Sequence, residues 1–124
     1  MAIPAKLQND LRQFQRLQQD LSTLGQQRLQ MDLKLRETTR TIEEVQKLPT
    51  DATLYRPIGG LLVKANGSTE VVELLTEEKE TLEIRVKALE RQENHLKERY
   101  SEMQKQLTEA LQAAGVSAVG PGSP

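Results

Sequence analysis

The chain has 124 residues with 17 basic and 18 acidic side chains, and this balance argues against a basic face for nucleic acid or for an anionic membrane surface. Hydrophobic residues make up only 36%, aromatic residues 2%, and cysteine is absent, which excludes a thick aromatic core and a disulfide framework. Ala, Glu, Lys, Leu and Arg fill 59 of the positions, a bias typical of long helices and coiled coils.

The first element, residues 1–48, is predicted to be a coiled-coil helix. Pro4 stands where a helix tolerates proline, and Pro49 ends the pattern. A seven-residue spacing places apolar residues at nine of twelve a and d positions, which favours a seam over six heptads. The a positions are Leu7, Phe14, Leu21, Arg28, Leu35 and Ile42, and the d positions are Asp10, Leu17, Leu24, Met31, Thr38 and Val45.

Residues 49–68 are predicted to form a β-hairpin that serves assembly. Strands over 53–58 and 61–65 are joined by Gly59-Gly60, which suits a two-residue turn. A lone hairpin is barely stable in water, and its open edges invite aggregation. We therefore expect hairpins from several subunits to close into an inter-subunit β-barrel. The predicted assembly residues are Leu54, Tyr55, Ile58, Leu61, Leu62 and Val63.

A second coiled-coil helix is predicted over residues 69–114, followed by Gly115 as the terminating glycine and by a flexible tail over 115–124. Its d positions are all apolar: Leu75, Leu82, Leu89, Leu96, Met103 and Ala110. If the helices run antiparallel with facing residue numbers summing to 117, eight of twelve layers are apolar on both sides. The predicted fold is mainly α, an antiparallel two-helix coiled coil with the hairpin at its closed end.

The order helix, hairpin, helix carries two specific stretches. These are the pattern Y-x-x-I-G-x-L-L-V-K at 55–64 and ETLEIRVKALERQE at 80–93. Together they resemble the beta-type subunit of prefoldin, in its archaeal form. The resemblance implies a hexamer with an alpha-type partner, two alpha and four beta subunits, which holds unfolded client proteins at its coiled-coil tips without ATP. It also implies delivery of these clients to a group II chaperonin.

The free ends of the two helices are the predicted client-binding site, because terminal turns fray and expose apolar residues. The expected contacts are Ile3, Leu7, Leu11, Leu107, Leu111 and Val116. Leu11 and Leu111 lie beside the a and d positions, where a two-helix pair need not cover them.

No catalytic, metal-binding or cofactor-binding constellation is predicted, and His95 is the only histidine. The first ten residues lack the apolar core of a signal peptide, and the expected location is cytoplasmic. Two alternatives remain at the level of sequence. One is a structural tether or adaptor that oligomerises through its hairpin, and the other is a helical arm that grips RNA.

Overall fold

A computed structural model describes residues 3–115 and contains two long helices with one hairpin between them. The elements are α1 (Ala5–Gln46), β1 (Tyr55–Ile58), β2 (Leu61–Lys64) and α2 (Ser68–Ala113). The mainly α fold with an antiparallel hairpin is confirmed. The chain divides into two compact units. We call the described residues 3–27 and 89–115 the helix-end unit, and residues 28–88 the hairpin unit.

The heptad positions of α1 are covered throughout, since every predicted a and d side chain is buried or half-buried. In α2 the same holds for eleven of the twelve heptad positions, and its a positions are Val72, Lys79, Val86, Glu93, Tyr100 and Leu107. The exception is Ala110, which is exposed, while its neighbour Leu111 is buried. The spacing after Leu107 is thus four residues instead of three. A leucine gains more than an alanine by leaving water, which favours this local change of frame.

The helix ends follow their local chemistry. The carbonyl of Pro4 accepts the first helical bond, from the N–H of Gln8 at 3.0 Å, and α1 ends three residues before Pro49. After α2 the chain adopts a left-handed conformation at Gly115, with φ of 76°, and its N–H donates to the carbonyl of Gln112 at 3.1 Å. The prediction of a terminating glycine is confirmed.

The hairpin pairs Tyr55 with Lys64 and Ile58 with Leu61 in an antiparallel register. Gly59 has a φ of 60°, whereas Gly60 does not have a positive φ, as in a type II′ turn. The strands are shorter than predicted: Thr53 and Leu54 lie before the start of β1, and Ala65 lies after the end of β2. One bond extends the ladder, from the N–H of Ala65 to the carbonyl of Leu54 at 2.9 Å.

Within residues 3–115, neither α1 nor α2 has a stretch long and apolar enough to cross a membrane.

Candidate functional site

The hairpin presents an apolar surface that no described residue covers. Leu61 and Leu62 are 71% and 73% exposed, and Tyr55, Ile58 and Val63 are also exposed. Leu54, the remaining predicted assembly residue, is half-buried. Large side chains of this kind at the tip of an open hairpin mark an interaction surface. The geometry brings five of the six predicted residues to the surface, as an assembly role requires.

The two faces of the hairpin differ. Because side chains alternate along a strand, Arg56, Leu61 and Val63 share one face, and Tyr55 and Leu62 share the other. Arg56 Nη1 lies 3.7 Å from Glu70 Oε1 on α2, which identifies the first face as the one turned toward that helix. Glu70 also accepts a hydrogen bond from the backbone N–H of Asn66. These contacts fix the hairpin to the start of α2.

The outer edge of β1 is interrupted at Pro57. The bond between Ala65 and Leu54 makes these two a hydrogen-bonded pair, and such pairs alternate along an antiparallel ladder. Pro57 and its partner Leu62 therefore form a non-bonded pair, so the Pro57 nitrogen faces away from β2. Proline has no N–H, and this edge offers one donor fewer than an ordinary strand.

The helix-end unit contains an apolar cluster. Its buried members are Leu7, Phe14, Leu107 and Leu111, and Ile3, Leu11, Tyr100 and Met103 pack against them. We call these eight residues the helix-end cluster. The Phe14 and Tyr100 rings stack with centroids 4.8 Å apart and planes 24° apart. The Gln18 side-chain amide donates to the Tyr100 hydroxyl at 3.3 Å, which satisfies the polar tip of that ring.

The predicted client-binding residues are mostly packed inside this cluster. Leu7 and Leu107 are buried, and Ile3 and Leu11 are half-buried. A two-helix pair need not cover Leu111, but in the structure its side chain is covered and only 1% exposed. Because the heptad spacing after Leu107 is four residues, the Leu111 side chain points into the seam between the helices. Val116, the sixth residue, lies outside the described residues.

Other exposed apolar residues lie on the outer faces of the helices. Leu29 and Leu33, one turn apart on α1, are each 54% exposed, and Ile84 on α2 is 68% exposed. All three occupy heptad positions outside a and d, which is the signal that could have singled them out. Within residues 3–115 no group of histidine, cysteine, aspartate and glutamate side chains could hold a metal ion.

Comparison with known proteins gives one consistent result. A family model described as "Prefoldin subunit" matches residues 8–114. The prefoldin subunit beta of Archaeoglobus fulgidus is 42% identical over 109 residues, which cover 88% of this chain and 93% of the relative. That of Thermococcus kodakarensis is 40% identical, with 88% and 92% covered.

A solved structure shares the fold. The crystal structure of the prefoldin beta subunit from Thermococcus strain KS-1 matches with a TM-score of 0.81 and 39% identity, covering 89% of this chain and 96% of that chain. The exposed hairpin between two heptad helices and these matches agree, and the chain belongs to the prefoldin family of chaperone subunits, as a subunit of the beta type.

Proposed function

We propose that the chain is one of six subunits of an ATP-independent holdase, which binds unfolded polypeptides at its helix ends and passes them to a group II chaperonin. Membership of the prefoldin family supports the chaperone function and a complex with other subunits. This family is not an enzyme family. From the family resemblance we infer three further properties: a stoichiometry of two alpha and four beta subunits, a chaperonin partner and a cytoplasmic location.

The exposed hairpin is the observation that carries the assembly part of the proposal. Five of its apolar side chains face solvent in the single chain, and both sheet edges are open. Pairing of hairpins from several subunits would satisfy the edge groups and cover these side chains. A closed barrel would leave no edge for further growth, which limits the assembly to a fixed number of subunits.

Client binding is assigned to the helix-end cluster, by way of local opening. Leu7, Leu107 and Leu111 are covered while the two helices remain packed. Among the described residues, the first turns of α1 and the last turns of α2 pack on each other, and such helix ends open at low free energy. When they separate, apolar side chains from both helices face outward together. An unfolded chain with apolar segments would bind there without a fixed sequence.

A disulfide lock tests the need for opening, and the cysteine-free sequence makes it clean. In the variant Leu7→Cys/Leu111→Cys the new thiols lie within one cluster, where oxidation would tie α1 to α2. The assembled complex is added to a diluted, denatured test protein without nucleotide, and aggregation is followed by light scattering. We expect the oxidised complex to lose client holding and the reduced complex to regain it.

The same protein in its two redox states is its own control, because composition and assembly are unchanged. Chromatography of both forms verifies that they have the same mass. Equal holding by the oxidised and the reduced complex would show that clients bind to the closed surface instead. A failure of the unsubstituted complex, assembled to the right mass, to hold the test protein would contradict the holdase function itself.

A further inference from the structure

The hairpin unit contains an open groove of about 430 Å³ next to the hairpin. One side is β1 with the residue before it, and the other side is formed by the end of α1 and the start of α2. A groove of this size is in the range of binding pockets, and its lining is incompletely covered in the single chain. The apolar part of the lining is Val45, Leu54, Pro57, Val71, Leu74 and Leu75.

We propose that this groove receives Leu61 from the β2 strand of a neighbouring copy of this chain. The inference rests on the proposed assembly through hairpins and specifies how one hairpin meets the next. The chain supplies both halves of such a contact, an unfilled apolar groove and an apolar side chain that is 71% exposed.

The position of the groove follows from the hairpin's geometry. Its wall is β1, whose outer edge is unpaired. A β2 strand of a second copy that lies along this edge continues the sheet, and side chains on the helix-facing side then lie above the groove. Leu61 is on that side together with Arg56, whereas Leu62 is on the opposite side.

Because of Pro57, side-chain packing contributes a larger part of the stability of this contact than it would beside a complete backbone ladder. The edge of β1 lacks one N–H donor there, so the backbone ladder between the two copies is short one bond. Insertion of an apolar side chain adds stability that does not depend on that donor. Pro57 itself lines the groove and contributes to the apolar wall.

Charge favours a second copy as the occupant. Residues 53–66 carry two basic side chains, Arg56 and Lys64, and no acidic one. The first part of α2, residues 68–83, carries six glutamates and one lysine, a net charge of −5, and Glu78 lies in the groove lining. The incoming β2 strand carries one charge, that of Lys64, and the groove lining itself contains Arg56 and Glu78. A strand with one positive charge thus approaches the acidic start of α2. An arbitrary unfolded polypeptide has no such charge preference.

The contact is head-to-tail, because β2 of one copy meets β1 and the groove of the next. Repeated contacts of this type close into a ring when the rotation between copies allows it. Two copies that pair through the same strand, β2 against β2, would leave both grooves empty. In that symmetric arrangement Leu61 would lie beside the β2 strand of the other copy and not in its groove.

Cysteine pairs distinguish these arrangements. Leu74→Cys places a thiol in the groove at a position outside the a and d seam, and Leu61→Cys places one on the incoming strand. Full-length single variants are mixed, assembled with the alpha-type subunit, oxidised and resolved by non-reducing electrophoresis. Leu62→Cys is the matched control, since it is equally exposed but lies on the other face.

We expect about tenfold more cross-linked dimer for Leu74→Cys with Leu61→Cys than with Leu62→Cys, because a disulfide needs Cβ atoms about 4 Å apart. Equal yields in a complex of the right mass would overturn the groove contact and leave the hairpin assembly standing. Self-linking of Leu61→Cys at the same yield would indicate symmetric pairing and also overturn it. A monomeric mass with no cross-link would contradict the hairpin assembly as well.

Discussion

Gly25 offers a direct test of how the helix-end unit is packed. It is the only glycine within α1. A Cβ added at this position would lie 3.5 Å from Glu93 Oε2, which is an ordinary van der Waals distance. Its φ is not positive, so an alanine fits the existing backbone. The substitution Gly25→Ala therefore adds a methyl group without a clash.

The expected gain can be worked out from two terms. Glycine is about 0.8–1.0 kcal/mol less favourable than alanine inside a helix. The new methyl group contacts a glutamate whose exposure is only 6%, so it takes almost no further solvent from that carboxylate. The propensity term then dominates, and Gly25→Ala should raise the free energy of unfolding by about 1 kcal/mol.

Urea unfolding followed by circular dichroism measures this change, at a fixed subunit concentration because assembly contributes to apparent stability. The control is Gly67→Ala, which also meets no atom within 4 Å but has a φ of 106°. We expect this variant to lose about 1 kcal/mol or more through backbone strain alone. Destabilisation by Gly25→Ala, with an unchanged slope against urea, would refute the packing described around Glu93.

Three further predictions test other parts of the molecule. Leu111→Ala should lower the free energy of unfolding by about 2–5 kcal/mol, because the Leu111 side chain is fully buried. Leu33→Ala is the control on the outer face of α1, and it should change the free energy of unfolding by less than about 0.5 kcal/mol in the same urea titration. Gly59→Ala should reduce the yield of assembled complex in chromatography and leave the helix content by circular dichroism unchanged, since φ of 60° at the turn disfavours alanine. Lys34→Gln removes a half-exposed ion pair in which Lys34 Nζ lies 3.8 Å from Glu78 Oε1. We expect the free energy of unfolding, measured by the same urea titration, to fall by no more than about 0.5 kcal/mol. A larger loss would indicate that the pair is coupled to other groups.

The sequence was sufficient for those features that depend on periodicity and on backbone chemistry. A seven-residue repeat predicts which face of each helix is covered, and all twelve positions of α1 follow it, including the polar Thr38. The two glycines and the proline of the hairpin likewise predict its turn and its edge, because their allowed φ values and missing donor are properties of single residues.

Packing at the helix ends could not be predicted in the same way. Ala110 fits the repeat, but Leu111 fills the space, because the choice depends on the volume available beside Leu7 and Phe14. The sequence offers Ala110 three residues after Leu107 and Leu111 four residues after it, and the spacing of apolar residues alone does not decide between them. The contacts made by the hairpin in a complex depend on other chains, and a single sequence specifies only the surface that they must cover.

The two apolar surfaces differ in the energetics that their functions require. Exposed strand edges and side chains in the hairpin are unfavourable whenever they are uncovered, so their partners should remain bound permanently. The helix-end cluster is covered in the resting chain, and opening its last turns exposes Leu7 and Leu111 at roughly 1.5–3 kcal/mol each. A client must first offset this free energy before it gains any net affinity. Under the proposed function, each helix pair would therefore bind weakly and reversibly, and a complex with several such ends would hold a client by simultaneous contacts and still release it.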